Sequence, residues 1–195
     1  MSPPGPATQL VKNAGDAQHW YVNNPLPAAL SVKALDANGG AVSGVVVTWA
    51  TASGGGGVSA TQSTTDASGV ASTIDSLGAA TAQSVTATPA LTTLPTLTFT
   101  ETGVAPPTSG AVSLKSIAFN PTNSVVQVGG TVTWTWNDSP TPHNVNFQST
   151  DPTPHPADSP TQSTGTESFT FTTLGTYHFF CNIHATMTGT LTVVH

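Results

Sequence analysis

From Thr131 to Trp136 the chain reads Thr-Val-Thr-Trp-Thr-Trp, a hydroxyl and then an apolar side chain at every step. A period of two puts the hydroxyls on one face of an extended strand and Val132, Trp134 and Trp136 on the other, a separation that a helix cannot make. Related patterns occur at Leu30-Ser31-Val32-Lys33-Ala34-Leu35, at Val45-Val46-Val47-Thr48-Trp49-Ala50 and at Ser84-Val85-Thr86-Ala87-Thr88. Further strand segments read over 94–100, 113–119, 125–128, 167–172, 176–180 and 189–194. Turn chemistry punctuates them: Asp36-Ala37-Asn38-Gly39-Gly40, the glycine-rich loop Ser53 to Gly57, Asp66-Ala67-Ser68-Gly69 and Gly129-Gly130. The usual helix formers Glu, Lys, Arg and Met are scarce, and charged residues make up only 6% of the chain. The sequence therefore predicts an all-β protein, with turns at the intervals of a β-sandwich.

A chain of 195 residues suits two domains of about 100 residues each. The segment from Thr102 through Ala105-Pro106-Pro107 to Gly110 reads as a semi-rigid connector, because paired prolines favour an extended chain. This predicts domains at 1–105 and 106–195. Three lysines and no arginine against nine carboxylates give a net charge of −6. No basic surface is then available for a phosphate backbone or an anionic leaflet, which excludes nucleic acid as a partner. No run of about 18 apolar residues predicts a transmembrane segment. The start Met1-Ser2-Pro3-Pro4-Gly5-Pro6 carries neither the basic nor the apolar region of a signal peptide. Low charge and many β-branched polar residues suit an extracytoplasmic protein, whether periplasmic, secreted or at the cell surface.

The first half resembles the bacterial Ig-like domains of the invasin and intimin type, Big-1. The resemblance rests on Leu26-Pro27, Val32-Lys33-Ala34-Leu35-Asp36-Ala37-Asn38-Gly39, Val42-Ser43-Gly44-Val45-Val46-Val47-Thr48-Trp49 and Thr65-Asp66-Ala67-Ser68-Gly69-Val70-Ala71, and covers most of residues 8–102. It implies an Ig-like sandwich that acts as a spacer or adhesive stalk without catalytic residues, and a surface through which a homo-oligomer or surface assembly could form.

The second half carries the chemistry. Cys181, the one thiol of the chain, opens the run Cys181-Asn182-Ile183-His184-Ala185-Thr186-Met187, which sets a thiolate, an imidazole and a thioether at Cys-x2-His-x2-Met spacing. A second imidazole is available in Pro142-His143-Asn144-Val145. Two His and one Cys in a plane with a weak axial Met form the ligand set of a blue-copper electron-transfer site. Each residue alone has a blander reading: a lone Cys is most often a small buried hydrophobe, and a lone His or Met near a strand end is often packing. The four together, with both spacings and both flanking strands, carry the assignment.

Residues 111–195 resemble the plastocyanin and amicyanin branch of the cupredoxins. The matching features are Ile117-x-Phe119-x-Pro121, Val128 with Gly130-Thr131-Val132-x-Trp134, Pro142-His143-Asn144-Val145, and Gly175-x-Tyr177-x-Phe179-x-Cys181-x-x-His184-x-x-Met187. The resemblance implies a Greek-key barrel or sandwich holding one Cu(I)/Cu(II) ion, with His143, Cys181 and His184 as equatorial ligands and Met187 as the axial one. It implies that the Asn144 backbone N–H donates to the ligand sulfur while the side chain ties the two ligand loops together. Asn182-Ile183 departs from the Ser or Thr followed by Pro that is common there.

In such a domain His184 reaches the surface through an apolar patch, here Pro142, Ile183 and Ala185, where a protein redox partner docks. Phe180, the outward neighbour of Cys181, marks a second electron route. His178 points outward by strand alternation, and His155, in a proline-rich loop, is expected in solvent. Two readings follow: a one-copper electron carrier spaced by an Ig-like module, or a structural, adhesive or filament-forming surface protein whose cupredoxin domain is a scaffold or copper store. An enzyme would need further His-x-His clusters or a second Cys, so catalysis is not expected.

Overall fold

The alternating segments fold as strands in the computed structural model, which describes residues 5–195. Among the described residues there is no helix, hence none long and apolar enough to cross a membrane. The chain divides into two compact units, Met1–Ala105 and Pro106–His195. The stretch expected as a long connector is mostly strand: only residues 105–108 lie between the last strand of one unit and the first of the next.

The first unit contains β1 (Gln9–Ala14), β2 (His19–Tyr21), β3 (Leu30–Leu35), β4 (Val46–Ser53), β5 (Gly56–Val58), β6 (Gln62–Thr64), β7 (Val70–Thr73), β8 (Asp75–Leu77), β9 (Ala82–Pro89) and β10 (Leu97–Val104). They pair as β1-β3-β7, β2-β10-β9-β4-β6 and the small ribbon β5-β8. The apolar positions of the alternating strands, among them Leu30, Val32, Trp49, Val85 and Phe99, fill one core. Part of the glycine-rich segment expected as loop is strand β5. Gly56, at φ +81°, sits so close to β8 that a Cβ there would lie 2.0 Å from the Ser76 carbonyl oxygen, so only glycine fits.

The second unit contains β11 (Ser109–Lys115), β12 (Ala118–Asn120), β13 (Asn123–Gln127), β14 (Thr131–Asn137), β15 (Asn146–Phe147), β16 (Thr164–Thr170), β17 (Gly175–Phe180) and β18 (Thr188–Val194). Two sheets, β12-β11-β14-β16 and β13-β18-β17-β15, enclose the core, with β11 parallel to β14 and β13 parallel to β18. Val132, Trp134 and Trp136 face inward together, as their period of two requires. They meet Phe147, Phe171, Tyr177 and Phe179, with Trp134 edge-on to Phe179 at 5.9 Å. Residues 113–119, expected as one strand, instead form a hairpin between β11 and β12, with Ser116 and Ile117 at φ +55° and +58°. His143 follows the end of β14, and the run Cys181–Met187 joins the end of β17 to the start of β18.

Candidate metal centre

Tyr177 and Phe179 point into the core from β17, and the same alternation carries Cys181 inward just beyond the strand, where it is buried. The loop after it folds back on itself. The Cys181 N–H donates to the Met187 carbonyl at 3.0 Å, and the Met187 N–H to the His184 carbonyl at 2.9 Å, immediately before β18 begins. These two bonds close the loop, and Cys181, His184 and Met187 are delivered from one short turn. Met187 is buried in the same core cluster as Cys181.

His143 arrives from the loop between β14 and β15 and is fully buried. Its backbone exchanges hydrogen bonds with Gln162 (2.8 and 3.0 Å), and its carbonyl accepts the Trp136 indole N–H at 2.8 Å. Its Nδ1 lies 3.1 Å from His184 Nδ1, which is itself 3.5 Å from Cys181 Sγ. One ligand atom from each of the three residues lies within 4.8 Å of the others.

Two sets of polar contacts hold this arrangement. On the far side of the His143 ring, Nε2–H donates to Asp138 Oδ2 at 2.9 Å, which leaves Nδ1 with its lone pair facing His184 and Cys181. Asp138 is held below the usual carboxylate range by that bond and, more weakly, by the backbone N–H groups of Ser116 and Ile117 in the β11–β12 turn. The second set joins the two ligand loops. Asn144 Nδ2 donates to Asn182 Oδ1 (2.6 Å), the Asn182 N–H donates to Asn144 Oδ1 (2.9 Å), and Asn146 Nδ2 adds a bond to the same oxygen (2.9 Å). Where a proline would have stiffened the loop, this reciprocal amide pair fixes Asn182.

His143, Cys181 and His184 thus come together, Met187 lies on the same turn, and Asn144 spans the two loops through its side chain. His184 is partly exposed, its chain neighbours Ile183 and Ala185 are exposed, and so is Pro142 beside His143. Phe180 is half-buried and lines a broad groove of about 960 Å³ with Ala185, His178 and Thr190. His178 is exposed, and it also donates to buried Asp151, with Nδ1 2.9 Å from Oδ1. His155 is not the solvated residue expected: it is half-buried and stacked on Phe147 at 5.6 Å. Asp138 and Gln162 had no motif to announce them, and Trp136 and Asn182 stood in motifs that gave them no such role. The one available signal was that Asp138 is the acid nearest to His143 in sequence.

Residues 108–194 match the family of copper binding proteins described as plastocyanin/azurin. An amicyanin variant in the reduced state is similar over 44% of this chain and 81% of its own, at 31% identity and a TM-score of 0.38. Residues 108–194 belong to this family. Also similar are a purple cupredoxin from Nitrosopumilus maritimus (28% identity, 43% of this chain, 98% of that one, TM-score 0.38) and a mutant plastocyanin of fern (29%, 43%, 98%, 0.37). Comparison with curated proteins finds no match.

Copper fits this cupredoxin domain by the chemistry of the donors. A buried thiol and an imidazole nitrogen with its proton on the opposite side converge with a second imidazole, and a buried thioether sits on the same turn. Lone pairs gathered so closely in a dry site are stabilised by one shared cation, and the mixture of soft sulfur and intermediate nitrogen suits copper.

Proposed function

We propose that this chain is an extracytoplasmic electron carrier with one mononuclear type 1 copper site, held by His143, Cys181, His184 and Met187 and spaced by an Ig-like N-terminal unit. The observation that carries this reading is the convergence of a fully buried His143 and a buried Cys181 on a partly exposed His184. When bound there, copper supplies a one-electron couple between Cu(I) and Cu(II). The chain's own residues do the rest. Cys181 gives up its proton to serve as a thiolate ligand. The amide pair Asn144–Asn182 and the Asp138–His143 bond keep the ligands from rearranging, and small rearrangement is what fast electron transfer needs. Burial of His143, Cys181 and Met187 excludes water.

His184 is the member of the set that reaches toward solvent, and the exposed Pro142, Ile183 and Ala185 give a partner protein an uncharged surface to meet. Phe180, next to Cys181 and facing the groove, offers a second route. Asp138 is engaged with His143 and Asp151 is buried against His178, so neither adds free charge to that surface. Docking is then governed by apolar contact and depends weakly on salt.

Adding Cu(II) to the purified full chain tests the reading. It is expected to give an intense visible thiolate absorption, reversible voltammetry and a monomer in sedimentation, and Cys181→Ser is expected to be colourless. A colourless wild type overturns the copper site, and a blue protein without a reversible wave overturns the carrier.

A further inference from the structure

A second cavity, of about 350 Å³, is lined by none of the metal ligands and lies beneath the segment 156–160 and against β14 and β16. That volume sits at the small end of the roughly 300–1,000 Å³ usual for ligand pockets. Its walls are Trp134, Trp136, Val145, Phe147 and Phe169, with the carboxylate residues Glu167 and Asp158 among the lining. The covering segment is anchored at His155, just before it, and at Ser159. His155 stacks on Phe147 at 5.6 Å, the Ser159 N–H donates to the Val145 carbonyl (2.9 Å), and the Val145 N–H donates to Ser159 Oγ (2.8 Å).

Glu167 is the unusual member. It stands directly across from Trp134 in the β14–β16 ladder and, like Phe169, is half-buried on a strand whose other residues are exposed. Neither the Glu167 nor the Asp158 side chain makes a hydrogen bond or ion pair among the described residues. Lys115, the one lysine of this unit, is not among the lining residues. Half-buried carboxylate next to aromatic rings, without a cationic side chain, is an environment that favours a cationic guest. The hydroxyls nearby are already engaged: Ser159 with Val145 and the Pro160 carbonyl, Ser168 with Thr133. A primary ammonium, which needs three acceptors, is poorly served; a cation without N–H groups is not penalised.

We propose that this cavity binds a small quaternary-ammonium group, held by the charge of Glu167 and Asp158 and by its aromatic walls. Calorimetric titration of the full chain with choline tests it, with 3,3-dimethylbutan-1-ol as the neutral analogue of the same shape. Saturable choline binding below about 10 mM is expected, with the neutral analogue roughly tenfold weaker and Glu167→Gln lowering choline affinity by a similar factor. Asp158→Asn, an exposed change on the covering segment, should give a smaller loss, and retention of the copper-dependent absorption certifies that each variant is folded. Absence of saturable binding, equal binding of the neutral analogue, or unchanged choline affinity in both folded variants overturns the proposal.

Discussion

Asp138 does more for the metal centre than its position suggests. By accepting the His143 Nε2–H it selects the tautomer that presents Nδ1, and it does so as an anion, steadied by the turn N–H groups behind it. Asp138→Ala removes that orientation, and losses of about 10–100-fold in metal affinity are typical when such a partner of a ligating His is lost. Competition against a chelator should show a drop of that order, with Asp138→Asn intermediate because its amide oxygen still accepts; equal affinity in all three proteins would remove Asp138 from the site. Met187 acts differently, since a weak axial thioether tunes the potential more than it holds the metal. Met187→Leu should keep the blue colour and raise the reduction potential in voltammetry, and an unchanged potential would take Met187 out of the axial role. The ligands were legible because three of them share one seven-residue run and His143 carries its own Pro-His-Asn context. Asp138 was not, because its role depends on a ring brought to it by a loop and on a turn 22 residues earlier.

At the scale of the element, the β11–β12 hairpin shows why a strand pattern can mislead. Residues 113–119 contain no Gly or Pro to break a strand, and the turn residues Ser116 and Ile117 include none of the Gly, Asn or Asp that mark a two-residue hairpin. Both nonetheless adopt positive φ, and Ile117 does so as an exposed β-branched residue. The turn places the Ser116 N–H 2.7 Å from Asp138 Oδ2, so the conformation is set by a contact outside the hairpin. A left-handed conformation costs a residue with a Cβ about 1–2 kcal/mol, and less for Asn. Ile117→Asn keeps the backbone donor and should stabilise the second unit by about 1 kcal/mol in denaturant unfolding, with the copper absorption unchanged. Destabilisation would mean that the exposed Ile117 side chain contributes packing. Elsewhere the longer strands were legible from their period of two. Short pieces such as β2, β5 and β15 were not, because two or three residues cannot display a period and are held by their neighbours in the sheet.

Charge is so scarce in the whole molecule that two buried carboxyl groups in the first unit decide how its stability responds to pH. Asp75 on β8 and Glu101 on β10 are both buried, and Asp75 Oδ1 and both Glu101 carboxyl oxygens have no hydrogen-bond partner. Burial pushes Asp75 up to about 6. Burial, with the added repulsion of Asp75 and Asp16 and a partial offset from Lys12, pushes Glu101 up to about 7. The unfolded chain releases these protons near the ordinary values of 3.8 and 4.5. Between those values and the raised ones the folded unit therefore binds more protons than the unfolded chain, so stability falls as pH rises from about 4 to 7. Above 7 the full cost of ionising both groups is present. Asp36 and Asp66 act in the opposite sense: hydrogen bonds, led by the Gly5 N–H for Asp36 and the Ser68 hydroxyl for Asp66, hold them below 3.8. Their contribution is lost only on further acidification, so the two effects occupy separate ranges. The unit should thus melt highest near pH 4–5 and progressively lower toward pH 8, with Glu101→Gln more stable than wild type by about 2 kcal/mol at pH 8 and no different near pH 4. Thermal melts of both proteins across that range provide the check. A wild-type stability that is level or rises from pH 4 to 8 would mean that the two carboxyl groups find partners in solution and ionise without cost.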